Sequence, residues 1–147
     1  MVDDGLTTSD PNVFALGECA EHRGCVSGLV EPANEQARIL ACRLAGDRTV
    51  AYLGSTFAAN LKVSGVHVFS AGEFIEGPGS DVITLDDQGA QSYKKFVMRG
   101  GRLTGAVLFG DTADGVWYLD LIRSGADVSH CRDVLAFGPA LALPQAA

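Results

Sequence analysis

The chain has 147 residues, 47% of them hydrophobic and 20% charged, with a formal net charge of −7. Such a length can bury about 70% of its unfolded surface. The acidic balance repels phosphate backbones, and neither a basic run for anionic lipid nor a stretch of roughly 20 apolar residues for a membrane span occurs. These features exclude nucleic acid and the membrane as expected partners. The first residues, MVDDGLTTSD, lack the apolar core of a secretory signal. Without an export signal, the four irregularly spaced cysteines (Cys19, Cys25, Cys42, Cys131) read as reduced thiols, which points to the cytoplasm.

In chain order, Asp10-Pro11-Asn12 is a turn signal, and the apolar run 13–17, closed by Gly17, reads as a short buried strand. A loop with Glu21, His22, Arg23 and Gly24 follows. Pro32 suits the first turn of a helix. Ala33, Ala37, Leu40, Ala41 and Leu44 recur at helical spacing, and Gly46 is a plausible stop. Composition shifts over residues 46–60, after which strands are expected at 61–69, 81–85, 93–98 and 103–109. Asp86-Asp87-Gln88-Gly89 and Arg99-Gly100-Gly101-Arg102 sit between the last three as hairpin connections.

After Gly110, Asp111 or Thr112 can cap a helix whose apolar face is Trp117, Leu121 and Ile122, ended by Gly125. A short helical turn at 128–135 and a frayed tail from Pro139 complete the chain. The order strand-loop-helix, four strands, two helices predicts an α+β fold. The expected organisation is a strand-loop-helix segment at 1–47, a linker at 48–60, a small, mostly antiparallel four-stranded sheet with two C-terminal helices at 61–140, and a disordered tail at 141–147.

The segment Thr8-Ser9-Asp10-Pro11-Asn12-Val13-Phe14-Ala15-Leu16-Gly17-Glu18 carries the most chemistry. A strand ending in Gly-acid can aim a carboxylate at a polyol, while the glycine lets backbone approach a ligand closely. This segment resembles the second flavin motif of the flavoprotein reductases with two dinucleotide-binding domains, T-S-x-P-x-[VI]-[FY]-A-x-G-[DE]. The string G-E-C-A-E-H-R-G at residues 17–24 resembles the NAD(P)H-dependent nitrite reductase branch of that pyridine nucleotide-disulfide oxidoreductase superfamily. The resemblance implies that residues 1–47 are the C-terminal remnant of an FAD-binding domain and that Gly17 and Glu18 bind the ribityl chain of FAD. It also implies that the helix starting at Pro32, with Glu35 and Gln36 in its first turns, directs its positive end at the flavin.

Later segments resemble the same branch. They are Leu61-Lys62-Val63-Ser64-Gly65-Val66-His67-Val68-Phe69-Ser70-Ala71-Gly72 and Gly105-Ala106-Val107-Leu108-Phe109-Gly110-Asp111-Thr112 with Trp117-Tyr118. They imply a C-terminal interface domain, often dimeric, with no catalytic residues of its own.

Other chemistries fit less well. Cys19, His22 and Cys25 lie close in sequence, but zinc or a cluster wants a fourth ligand, and Cys42 and Cys131 are remote. A nucleophilic Cys–His pair rarely forms from one loop, and no C-x-x-C occurs. No G-x-G-x-x-G follows a strand, so the adenine-side FAD fingerprint and the NAD fingerprint are missing. The resemblance therefore implies a partial oxidoreductase, inactive alone, with only part of an FAD site. The rest of the reductase polypeptide, together with siroheme and an iron–sulfur cluster, belongs to other modules. Two alternatives stand beside it. One is a dimerisation or docking module without catalysis; the other is a rubredoxin-type or nitrate-assimilation electron-transfer reductase.

Overall fold

The computed structural model describes residues 1–56 and 58–142. The chain divides into two compact units, Met1–Ser55 and Thr56–Ala147.

The first unit opens with a loop folded on itself. Asp3 Oδ1 accepts the N–H of Gly5 at 2.8 Å and of Thr7 at 2.9 Å. Between them Leu6 takes φ 62 and buries its side chain completely. The run 13–17 is not the buried strand expected of it. Phe14 makes one isolated bridge to Thr7, and Val13 and Phe14 are 50% and 37% exposed. A strand needs neighbours along its length to take its N–H and C=O groups. Among the described residues only the short segment 6–8 lies beside this run.

A 3-10 turn at Gly17–Cys19 then leads into strand β1 (Glu21–His22), which pairs antiparallel with β2 (Cys25–Val26). Arg23 (φ 50) and Gly24 (φ 80) form their two-residue loop. Two successive positive φ angles are the turn whose twist matches a hairpin.

Helix α1 (Val30–Leu44) begins two residues before Pro32, which still falls in the first turn, where its missing N–H costs nothing. Gly46, at φ 104, follows the last turn as expected. Its inward face differs from the periodic reading. Pro32 and Gln36 are buried, with Ile39 and Leu40 packed on Val2, Leu6, Ala20 and Tyr52. Ala37, Ala41 and Leu44 point outward.

The second unit is a five-stranded sheet in the order β3-β4-β7-β6-β5 with every neighbouring pair antiparallel. Its strands are β3 (Ala58–Val63), β4 (Val66–Gly72), β5 (Asp81–Asp87), β6 (Ser92–Arg99) and β7 (Arg102–Phe109). The α+β class holds, but the four-stranded expectation is corrected to five. The single strand expected at 61–69 is two, because Ser64 (φ 51) and Gly65 (φ 84) turn the chain back on itself. The surrounding β-branched residues masked that turn in the sequence. Gly100-Gly101 closes β6 onto β7 as expected. The connection from β5 to β6 lies later than Asp86-Asp87, which belong to β5.

One face of the sheet carries Phe69, Phe96, Met98, Leu103 and Leu108 against the helices. Helix α2 (Gly115–Ser124) sits close because a Cβ on Gly115 would lie 2.8 Å from the Phe69 ring. Asp111 and Thr112 do not cap it; Asp114 precedes its first turn, and the Asp111 carboxylate instead pairs with the buried Lys94 at 2.8 Å. Trp117, Leu121 and Ile122 are half-buried, while Tyr118 and Leu119 form the inner face. Gly125 ends the helix at φ 59.

A 3-10 segment (Ser129–Phe137) follows, and Tyr118 donates its hydroxyl to the Leu135 carbonyl at 2.8 Å. The tail expected to fray from Pro139 forms a short helix, α3 (Pro139–Ala142), with Ala142 buried. Pro suits a first helical position. The expected disordered tail otherwise falls on residues 143–147, outside the described residues.

Candidate functional site

The Gly17–Cys19 turn presents the motif residues. Gly17 has φ +77, a conformation that side chains rarely adopt. Glu18 follows it with its side chain exposed and laid along Gly28. A Cβ on Gly28 would stand 3.1 Å from Glu18 Oε1, so glycine there leaves the carboxylate its place. Among the described residues Glu18 has no hydrogen bond or ion pair. Directly before Gly28, the Ser27 hydroxyl is buried with no partner. A buried hydroxyl without a partner costs about 1–3 kcal/mol, so a ligand's polar group there would relieve it. Two residues beyond Gly28 the N-terminal turn of α1 begins, with Pro32 in it.

These features fit the polar part of a flavin. A free carboxylate stands on a turn that needs glycine and lies along Gly28, the chain neighbour of the orphan Ser27 hydroxyl, and a positive helix end is nearby in sequence. Gln36 and Glu35 are engaged within the chain. Gln36 Oε1 accepts the Gly17 N–H at 2.7 Å. Glu35 Oε2 accepts from Ser55 Oγ at 2.5 Å, and Ser55 Oγ lies 2.9 Å from the Tyr52 hydroxyl.

The string E-H-R-G acquires a structural role that sequence reasoning did not give it. His22 Nε2 lies 2.9 Å from Asp4 Oδ1, and Arg23 reaches Asp4 Oδ2 at 2.7 Å. The buried His22 ring also packs on Tyr52 with centroids 4.8 Å apart. Arg23, and secondarily His22, hold the Asp4 carboxyl at about 2, below its usual range. Asp4 and Tyr52 gave no signal in the sequence because each matters only through a partner distant in the chain, and Ser27 gave none because its unpartnered burial appears only in the fold.

The cysteines are free thiols; Cys19, Cys25 and Cys42 are exposed, and burial pushes the Cys131 thiol up. His22 Nε2 is engaged by Asp4. No group of three or more His, Cys, Asp or Glu suited to a metal occurs among the described residues. No helix among them is long and apolar enough to cross a membrane. A groove of about 420 Å³ lies at the other end of α1, lined by Asp3, Thr7, Phe14, Arg43, Leu44 and Arg48 among others.

Residues 58–126 match the rubredoxin NAD+ reductase C-terminal domain. Over 139 residues the chain is 44% identical to the NAD(P)H nitrite reductase of Bacillus subtilis strain 168, spanning 95% of this chain and 17% of that protein. It is 42% identical over 129 residues to the assimilatory nitrate reductase electron transfer subunit of the same organism, covering 88% of this chain and 17% of that one. The solved structure of NADH:rubredoxin oxidoreductase from Clostridium acetobutylicum shares the fold, with a TM-score of 0.69 and 24% identity over 92% of this chain and 35% of that chain.

Fold and sequence thus define the class: residues 58–126 match the C-terminal domain of the rubredoxin NAD+ reductases, and most of the chain is similar to NAD(P)H nitrite reductases. Within them it matches the C-terminal part of the reductase region of the NAD(P)H nitrite reductase large subunit or of a related assimilatory electron-transfer reductase. It spans only about a sixth of the length of these curated relatives.

Proposed function

We propose that this chain supplies one half of the FAD site of an NAD(P)H-dependent nitrite reductase large subunit. The observation that carries this reading is the Glu18 carboxylate, unpaired among the described residues and held on the Gly17 turn along Gly28, which directly follows Ser27 with its orphan hydroxyl. When bound, FAD supplies the exchange between hydride from NAD(P)H and one-electron carriers. Glu18 would accept hydrogen bonds from the ribityl hydroxyls, Ser27 would offer a further polar contact, and the first turn of α1, containing Pro32, would supply its positive end to the flavin. Glu35 and Gln36 belong to the site through the Ser55 and Gly17 bonds that hold α1 in place.

The adenine half of the site, the NAD(P)H site, and the siroheme and iron–sulfur modules belong to the rest of the reductase polypeptide. The chain alone does not turn over. The exposed stripe Ala37, Ala41 and Leu44 of α1 supports a seat for that polypeptide, and a homodimer through the second unit is consistent with the interface role of such domains. The net charge of −7 disfavours nucleic acid, and the reduced thiols suit the cytoplasm. The 42% identity to an assimilatory nitrate reductase electron transfer subunit supports a second reading, in which the same half-site feeds nitrate rather than nitrite reduction.

The test is an FAD titration of the purified chain followed by flavin fluorescence. Weak but saturable binding that falls at least tenfold in Glu18→Ala supports the site. Binding unchanged in Glu18→Ala, or no saturable response up to millimolar FAD, sinks it and leaves a structural or docking module.

A further inference from the structure

A helical turn begins with N–H groups that have no partner inside it. Usually the preceding residue offers a side-chain oxygen. Before the Gly17–Cys19 turn that residue is Leu16, which makes no side-chain cap. Instead, the Gly17 N–H is taken by Gln36 Oε1 at 2.7 Å, from nineteen residues further along.

Gln36 is 4% exposed and sits in the second turn of α1, so the helix backbone and its packing set where its amide reaches. A leucine or methionine would fill the same place without burying a polar group. A buried amide is retained where its direction matters more than its contribution to stability. Here the direction concerns the peptide next to Glu18. Gly17 is held at φ +77, and a Cβ there would meet Ala33 Cβ at 3.8 Å, an ordinary contact. Glycine is therefore required by conformation and not by room. Ala20 N–H closes the turn on the Gly17 carbonyl at 3.0 Å. With both the N–H and the C=O of Gly17 engaged, little freedom remains in the backbone that carries the Glu18 side chain.

We propose that Gln36 is a positioning residue: a remote cap from α1 that fixes the Gly17 peptide and so aims the Glu18 carboxylate at the bound flavin. This rests on the reading of Glu18 as a flavin contact given above. The amide oxygen carries the role, so the acceptor matters and the amide NH2 does not.

The test compares wild type, Gln36→Leu and Gln36→Glu as ¹⁵N-labelled 147-residue chains, first free and then titrated with FAD. Leucine keeps the bulk and removes the acceptor; glutamate keeps an acceptor oxygen in the same place. In Gln36→Leu the Gly17 amide proton should move upfield and exchange about tenfold faster, the effect of one lost hydrogen bond. FAD affinity should fall by a similar factor while far-ultraviolet circular dichroism is unchanged. Gln36→Glu should restore both.

If Gln36→Leu leaves the Gly17 amide and FAD affinity as in wild type, the inference is wrong. It is equally wrong if Gln36→Glu keeps the Gly17 amide yet binds FAD as weakly as leucine, because Gln36 then touches the flavin through its NH2. A wild-type chain with no FAD response at all overturns the flavin reading itself, and this inference with it, whatever the Gly17 amide shows.

Discussion

The described residues of the first unit and of the second reach a fixed structure by different means. The second unit closes a core in which Phe96, Leu103, Leu108, Tyr118 and Leu135 are all at most 2% exposed. Cross-strand pairing on five strands and burial beneath two helices and a 3-10 segment account for most of it. Polar contacts such as Lys94–Asp111 and the Tyr118 hydroxyl on the Leu135 carbonyl are added to a large apolar core. In the first unit only Val2, Leu6, Ala20 and Tyr52 form the buried apolar centre, while Val30 and Leu44 on α1 are 76% and 64% exposed.

Polar clamps hold that first unit: Asp4 on His22 and Arg23, Gln36 on Gly17, Ser55 on Glu35, and Arg43 on the Val50 carbonyl. Hydrogen bonds are directional but add only about 0.5–1.5 kcal/mol each. They place a loop accurately without making it stable. The unit with the weaker core is therefore the one that carries the candidate chemistry, as expected where stability is exchanged for a defined ligand site.

The comparison breaks most visibly through the core of the second unit. Phe96→Ala removes a fully buried ring and should destabilise that unit by about 3–5 kcal/mol. Urea unfolding followed by Trp117 fluorescence would read this, and the Glu18 and His22 resonances should stay in place. Collapse of both units together would show that they are not separately stabilised.

Acid should act in the opposite order. The Asp4 carboxyl is held at about 2, below an unfolded value of about 3.9. A depressed folded value means that its contribution is complete above the unfolded one and is lost as pH falls through the folded one. Between pH about 4 and pH about 2 the first unit should loosen, seen as faster exchange of the Val2 and Leu6 amides. Asp81, Asp111 and Asp127 are also held low in the second unit, but its larger core should keep it folded further into acid. Simultaneous loss of both units would remove the distinction.

The smallest effect sharpens the comparison most. Ser27→Ala removes an unpartnered buried hydroxyl and should leave stability unchanged or raise it by up to about 1 kcal/mol. The same change should weaken FAD binding. Loss of stability in the free chain would mean that Ser27 already has a partner, and unchanged FAD affinity would remove it from the site.

Legibility in the sequence varied within each unit. Gly100-Gly101 announced its hairpin because two adjacent glycines accept the positive φ angles that the turn demands. Ser64-Gly65 demanded the same geometry but stood among β-branched residues that read as one continuous strand. Residues 13–17 had the composition of a buried strand, yet strand formation depends on neighbours that composition does not reveal. On α1, periodic alanines and leucines suggested one inward face, whereas Gln36 and Pro32 set another, because the Gly17 N–H draws a polar residue inward. Gly17 and Glu18 were legible as a motif. Ser27 and Asp4 were not, since their importance lies in what they fail to meet, or meet only across the fold.

The most direct test is a ¹⁵N–¹H correlation spectrum of the 147-residue chain recorded through an FAD titration. The account predicts saturable shifts at Gly17, Glu18, Ser27, Gly28 and the first turn of α1, with residues 58–142 unmoved. Shifts centred on the sheet of the second unit, or in the groove by Arg43 and Arg48, would contradict it.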